Sequence, residues 1–176
     1  MLTHIVPRTI ANDAVALLLE GHGRIRAFTE LADRLAAAEG TPEVEVAEMA
    51  AAIRRYFAEA FPLHARDEEE SLLPRLAGRD RTVDAALVTM HREHAGQGAA
   101  IARVIGLCAE LITSPGRHVA LVPALGQAAA LLREHFARHL ALEEDVVFPA
   151  LQAFVPEGTR AEIACELRAR HDHSSR

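Results

Sequence analysis

HARDEEESLLPRL at residues 64–76 recurs as HLALEEDVVFPAL at residues 139–151. The histidine, two consecutive glutamates, the proline and the final leucine of the first copy coincide with those of the second at one constant offset. On an α-helix, a histidine and a glutamate four residues apart lie on one face, one turn apart. Each copy therefore directs an imidazole and a carboxylate into the same space, an arrangement from which helix bundles build two-metal sites.

The composition predicts one all-α domain. Half of the 176 residues are apolar and a quarter are charged, which favours a packed core over disorder. Alanine and leucine are frequent and aromatic residues are few, a mixture that favours helix over sheet. We therefore expect residues 1–176 to form a single domain with a core over approximately residues 12–154.

Charge and targeting signals narrow the choice of partner and compartment. The net charge is −6 and Lys and Arg do not cluster, which argues against nucleic acid as the main partner. The first residues show no basic region followed by a long apolar run, so we expect no membrane association and a cytoplasmic location. Cys108 and Cys165 match no zinc or redox spacing, and no feature identifies a protein partner.

Helical periodicity predicts two long helices in the first half of the chain. The first follows an N-cap at Asn12 or Asp13 and ends at Gly40. Pro62 lies inside the pattern of the second, just before His64. Because proline lacks a backbone donor, we expect it to kink or locally break this helix.

The second half of the chain repeats this organisation. A third helix follows a cap at Asp80 or Thr82, with Gly98 on its inner face, and a fourth begins between His118 and Pro123. A short fifth helix is predicted over residues 161–169, followed by a polar, disordered tail over residues 171–176. Glycines at 96 and 98 are expected to let a neighbouring helix or a small ligand come close to the third helix.

The repeat extends to one further histidine in each half. LEGH at residues 19–22 resembles HREH at residues 91–94, at nearly the offset of the longer repeat. Each half is therefore a helical hairpin with one inward histidine on its first helix and a histidine–glutamate pair on its second. Neither hairpin can bury its apolar face alone, so we predict an up-down four-helix bundle with approximate two-fold symmetry and a short C-terminal helix.

Six side chains are expected to converge inside this bundle. Imidazoles and carboxylates in one set suit iron or manganese and can also hold zinc. Two metals are predicted, each glutamate being able to bridge them, and open coordination positions would admit oxygen, peroxide or nitric oxide. The six candidate ligands are His22, His64, Glu68, His94, His139 and Glu143.

Simpler interpretations compete with a metal site. A lone histidine on an apolar face is usually a satisfied core residue, and one histidine–glutamate pair is usually a surface contact worth about 0.2–0.5 kcal/mol. Two pairs in register, each with a matching histidine, are harder to explain because burying them unpartnered would cost several kcal/mol. A purely structural bundle stays open, and a zinc hydrolase is disfavoured because no Ser or Cys nucleophile arrangement is present.

Several neighbouring residues have open roles. His135 precedes His139 by one turn and is either a further ligand or a residue at the mouth of the bundle. His91 could replace His94 as a ligand, although alignment of the repeats favours His94. Because Glu69 and Glu144 directly follow proposed ligands, they turn away and are expected to contact neighbouring helices rather than metal.

From about Asn12 to Phe154, these motifs resemble the hemerythrin-like HHE cation-binding domain. The resemblance implies an up-down bundle around an oxo- or hydroxo-bridged di-iron centre. It implies three ligands from each half of the chain: His22, His64 and Glu68 from the first, and His94, His139 and Glu143 from the second. The two glutamates would bridge the two metal ions. Manganese or zinc is a possible substitute for iron.

The branch of the family follows from the spacing of the third-helix histidines. Oxygen-carrying hemerythrins have two histidines four apart there, whereas His91 and His94 are three apart. The pattern is closer to the bacterial branch with four His and two Glu, which includes proteins linked to iron-centre repair and to nitric oxide or peroxide chemistry. We expect a protein that binds or reacts with such an oxidant; the alternative is a metal-dependent sensor, iron donor or oxygen binder without turnover.

Overall fold

The computed structural model describes residues 13–173, which contain helices and turns and no β-strand. Helix α1 spans Ala14–Ala37 and begins after Asp13, whose carboxylate accepts a hydrogen bond from the Val15 amide at 2.9 Å. Of the two N-cap residues that the sequence suggests, Asp13 is therefore the one that caps α1. Asn12 and the residues before it lie outside the described part of the chain.

The other four helices include two composite rods. In α2, α-helical segments Glu43–Arg55, Phe61–Arg66 and Leu73–Leu76 alternate with π-helical segments Tyr56–Ala60 and Asp67–Leu72. In α4, the α-helix His118–Leu142 is followed by the π-helical segment Glu143–Val147 and the α-helix Phe148–Phe154. The uninterrupted helices are α3, Arg81–Thr113, and α5, Glu157–His173.

Each π-helical segment is followed by a residue that precedes a proline. A proline inside a helix removes one hydrogen bond and its ring clashes with the carbonyl four residues earlier. Widening one turn accommodates the ring, and the amides of Phe61, Leu73 and Phe148 bond to carbonyls five residues back. The disturbance predicted at Pro62 therefore takes the form of a wide turn, and the rod continues through it.

The four long helices pack as an up-down bundle with two apolar clusters. Helix α1 lies against α2 and α4, and α3 lies against the same two helices. The larger cluster fills one end of the bundle and includes Ile25, Phe57 and Leu132. The smaller cluster fills the other end and includes Leu18 and Leu151. A layer of polar residues separates the clusters along all four helices.

The C-terminal helix is longer than predicted. The expected end at residue 169 and the disordered tail are wrong for residues 170–173, which continue α5. Asp67 is 3 % exposed, its carboxylate pairs with the guanidinium of Arg170, and the other carboxylate oxygen lies 2.6 Å from His171 Nε2. A buried carboxylate needs such partners, and α5 supplies them, so the end of α5 is held against α2. Residues 174–176 lie outside the described range.

The inner face of α3 differs from the prediction at one position. Gln97 is 1 % exposed, whereas Gly98 faces outward. No heavy atom lies within 4 Å of a Cβ built at Gly96 or Gly98, so neither glycine provides a close approach. By length and composition alone, α3 could cross a membrane, but the core helix of a bundle meets the same criterion.

The packing of α4 can be tested with two adjacent leucines. Leu132 is fully buried, whereas Leu131 is 46 % exposed. We expect Leu132→Ala to lower the free energy of unfolding by about 2–5 kcal/mol, because it leaves a cavity in the core. Leu131→Ala is the control and should cost less than about 1 kcal/mol. Urea unfolding followed by circular dichroism measures both, and equal losses would contradict the orientation of α4.

Candidate metal centre

The six predicted ligand side chains converge in the polar layer between the two apolar clusters. On α1, for example, Leu18 belongs to one cluster, Ile25 to the other, and His22 lies between them. His22, Glu68 and Glu143 are fully buried. The remaining three, on α2, α3 and α4, are at least nine-tenths buried as side chains: His64, His94 and His139.

Both carboxylates lie between opposing imidazoles. Glu68 Oε1 is 2.8 Å from His64 Nε2, and Glu68 Oε2 is 3.2 Å from His94 Nε2. Glu143 Oε2 is 2.8 Å from His22 Nε2, and Glu143 Oε1 is 3.0 Å from His139 Nε2. Each glutamate therefore presents one oxygen to each side of the layer.

This geometry defines two halves of one centre. The first half contains His22 and His64 and the second contains His94 and His139, while Glu68 and Glu143 belong to both. Within each half, one potential ligand atom per residue lies within 4.8 Å of every other. Shared carboxylates of this kind can bridge two cations, as di-metal helix bundles do.

His94 Nε2 and His139 Nε2 lie within hydrogen-bond distance of each other, at 3.0 Å, but most of the facing atoms are close without forming a hydrogen bond. Both carboxylate oxygens of Glu68 and of Glu143, and Nε2 of His22 and of His64, are buried and make no hydrogen bond of acceptable geometry among the described residues. Leaving buried polar atoms without partners costs several kcal/mol. Cations between the atoms would satisfy the imidazoles and carboxylates together, so these residues fit the metal centre that the sequence predicts.

Carboxylates from neighbouring helices hold the outer nitrogens of three imidazoles. The distances to Nδ1 are 2.7 Å from Glu144 to His22, 3.0 Å from Glu69 to His94 and 2.9 Å from Glu93 to His139. Such contacts fix the orientation of a ligand ring and increase its basicity. The carboxylates of Glu69 and Glu144 thus contact histidines on neighbouring helices. Sequence reasoning missed Glu93, although its position next to His94 was a usable signal.

The residues with open roles lie outside both halves. His91 is exposed and His135 is partly exposed, and neither belongs to a group of potential ligands. The geometry therefore favours His94 over His91 and gives His135 no direct contact with the centre. Sequence reasoning also missed Gln97, whose buried amide has no hydrogen-bond partner for either polar atom among the described residues.

The metal-free centre is strongly coupled electrostatically. Burial alone would lower the pKa of His139, but the neighbouring carboxylates, led by Glu143, outweigh burial and raise that pKa to about 9. For Glu68, burial opposes ionisation, but the imidazoles of His64 and His94 outweigh it and hold the carboxyl pKa well below its usual range. At neutral pH the metal-free layer therefore carries protons that a metal ion must displace.

Proton release on metal binding is the first test of the centre. The pKa of His139 is raised to about 9, so protonation of this ring stabilises the metal-free protein. This stabilisation is complete below the pKa that the ring has in the unfolded chain, and it is lost as the pH rises through 9. Metal affinity should change in the opposite sense and rise from pH 6 to pH 8. Calorimetric titration with Zn²⁺ in two buffers of different ionisation enthalpy measures the protons released. Identical enthalpies at pH 7 would contradict a protonated layer.

The cost of the polar layer can be measured by replacing it. We expect the double substitution His64→Leu and Glu68→Leu to leave the metal-free protein within about 1 kcal/mol of the wild type or to stabilise it, because apolar side chains in place of both members of a buried charged pair avoid the cost of desolvating them. Added Mn²⁺ should raise the Tm of the wild type and of the His91→Leu control, but not that of the double variant. A Tm of the wild type that does not respond to any divalent ion would contradict the prediction.

Comparison with known proteins agrees with this geometry. A search of curated proteins found no match to the chain. A family model described as the hemerythrin HHE cation binding domain matches residues 13–151, which include α1, α2, α3, all but the last three residues of α4, and all six converging residues. The chain therefore belongs to the hemerythrin HHE cation-binding family.

Proposed function

We propose that this protein is a non-haem di-iron protein that binds or reacts with a small oxidant such as O₂, peroxide or nitric oxide. The observation that carries the proposal is the pair of buried His₂Glu₂ groups that share both carboxylates. His22, His64, His94 and His139 would hold the two ions from four helices, with Glu68 and Glu143 between them. Bound iron would supply electron transfer and coordination positions for a small molecule, which zinc can supply only in part.

The charge of the proposed centre favours anionic or electron-rich ligands. Two carboxylates neutralise half of the positive charge of two divalent ions, and the four imidazoles are neutral when they bind metal. The remaining charge lies in a layer that water reaches poorly, so an electron-rich exogenous ligand is attracted strongly. The apolar clusters on both sides restrict access to small molecules.

The protein residues around the centre keep its geometry fixed. Glu144, Glu69 and Glu93 bind the outer nitrogens of three imidazoles, so these rings cannot turn when a small molecule approaches. Arg26 donates a hydrogen bond to Glu144 at 2.7 Å and holds that carboxylate in turn. These contacts extend the rigid part of the centre to the surface of the bundle.

Gln97 is the residue best suited to contact the bound small molecule. Its amide is buried without a partner, three residues after His94 on α3. Helical side chains lean toward the N-terminus of their helix, so the amide leans toward the level of His94. A small molecule held at the centre would give this amide the hydrogen-bond partner that the described residues do not.

Iron loading and ligand spectra test the proposed function. The protein is loaded with Fe²⁺ without oxygen, its iron is counted, and absorption spectra are recorded on addition of nitric oxide, azide and peroxide. We expect about two irons per chain and new ligand-to-metal bands. His94→Ala should lose one iron and most of the bands, whereas His91→Ala, an exposed histidine one turn away, should keep both. No iron binding, or identical spectra with and without each ligand, would refute the proposal.

Gln97→Leu should separate stability from ligand binding. Removing an unpartnered buried amide should stabilise the metal-free protein by about 1 kcal/mol, because the amide's desolvation is no longer uncompensated. Azide should bind the iron-loaded variant about five-fold more weakly, the loss of one hydrogen bond of about 1 kcal/mol. Urea unfolding and azide titration measure the two effects. Unchanged azide affinity would show that Gln97 does not contact the ligand.

A further inference from the structure

The two halves of the centre differ in the support of their imidazoles. Both histidines of the second half have a carboxylate on their outer nitrogen, since Glu69 holds His94 and Glu93 holds His139. In the first half, Glu144 supports His22. His64 is the exception among the described residues, because its Nδ1 has no carboxylate partner there.

The repeat explains the missing carboxylate. Glu93 immediately precedes His94 on α3, and the corresponding residue before His22 on α1 is Gly21. A Cβ at residue 21 would lie 2.7 Å from His64 Nδ1, a distance at which one of the two groups must move. The His64 ring therefore occupies the space that a side chain at position 21 would need, and only glycine permits this position of the ring.

The outer side of His64 faces a cleft in the protein surface. Two adjoining cavities, of about 170 and 420 Å³, share Gly21, Arg24, His64 and His171 in their walls. The His94 side chain is 10 % exposed, comparable to the 7 % of His64, but Glu69 holds its outer nitrogen. His64 thus combines an unsupported outer nitrogen with open space into which the ring can turn.

We propose that the ion position of the first half is the exchangeable one: it fills last, empties first, and communicates with solvent through the cleft beside Gly21. The inference rests on the proposed two-ion centre and adds the order in which its two positions fill and empty. The physical reason is that loss of a supporting carboxylate lowers metal affinity about 10–100-fold. A ring without such support leaves the ion more readily, and a cleft beside it lets water or a chelator take its place.

Release kinetics provide the test. Protein loaded with two Fe²⁺ without oxygen is mixed with an excess of a colour-forming ferrous chelator. We expect two phases of equal amplitude, with rates that differ at least ten-fold. A single phase from protein that contains two irons would overturn the inference. Failure to load two irons would instead refute the proposed function, so the two failures are distinguishable.

Two substitutions assign the phases. Gly21→Ala should displace His64 and abolish the fast phase, reducing the iron content from two to one per chain while the slow rate changes less than two-fold. Gly23→Ala is the matched control on the same helix, where a Cβ meets no atom within 4 Å, and both phases should persist. Persistence of the slow phase also shows that Gly21→Ala is folded. Two retained phases in Gly21→Ala would overturn the assignment.

The reciprocal substitution acts on the other half. Glu93→Gln removes the carboxylate that supports His139 while keeping the size of the side chain. We expect it to accelerate the slow phase at least ten-fold and to leave the fast phase unchanged. Glu134→Gln, at an exposed glutamate of α4, is the control. A slow phase that is not accelerated by Glu93→Gln would contradict the role given to the supporting carboxylates.

Blocking the cleft tests the route. Ala60 lines the larger cavity beside His64, and Ala137 lines a separate cavity of about 140 Å³ that none of the six converging residues lines. Ala60→Trp should slow the fast phase at least five-fold without altering the slow phase. Ala137→Trp should alter neither. An unchanged fast phase in Ala60→Trp would show that iron leaves by another path.

Discussion

The bundle depends on enclosing a polar layer between two apolar clusters. Each long helix contributes an imidazole or a carboxylate at the same depth, with aliphatic and aromatic side chains before and after it. The apolar clusters stabilise the bundle, whereas the layer opposes folding unless its atoms are partnered. Folding and metal binding are therefore expected to be coupled, because ions that bind the layer remove its unfavourable contribution only in the folded state.

The repeated segment was sufficient to predict the fold and the convergence of six side chains. Its histidine–glutamate spacing determines which residues share a helix face, and two amphipathic hairpins with short connections leave few packing arrangements. The outer carboxylates were harder to predict, because a contact such as Glu93 to His139 joins two helices. Its formation depends on their relative rotation, which periodicity within one helix does not contain. Assigning Gly98 rather than Gln97 to the inner face was an error of one residue in helix phase.

Proline positions explain a further part of the structure that sequence reasoning described only in outline. Glu68 and Glu143 each begin the wide turn that precedes an X-Pro pair. A wide turn of this kind is rare within α-helices and is frequently found at functional sites. The two carboxylates that both halves share thus lie at equivalent wide turns in the two copies of the repeat. The sequence showed the prolines but not how the helix would absorb them.

The attachment of the last helix has a practical consequence. Asp67, which Arg170 and His171 hold, is the direct neighbour of Glu68 in the chain. A tag joined after Arg176 is separated from His171 by five residues in the sequence, and a strongly charged one would compete with Arg170 and His171 for the Asp67 carboxylate. Recombinant forms with C-terminal affinity tags would then differ from untagged protein in their metal content, and polyhistidine tags would add ions of their own.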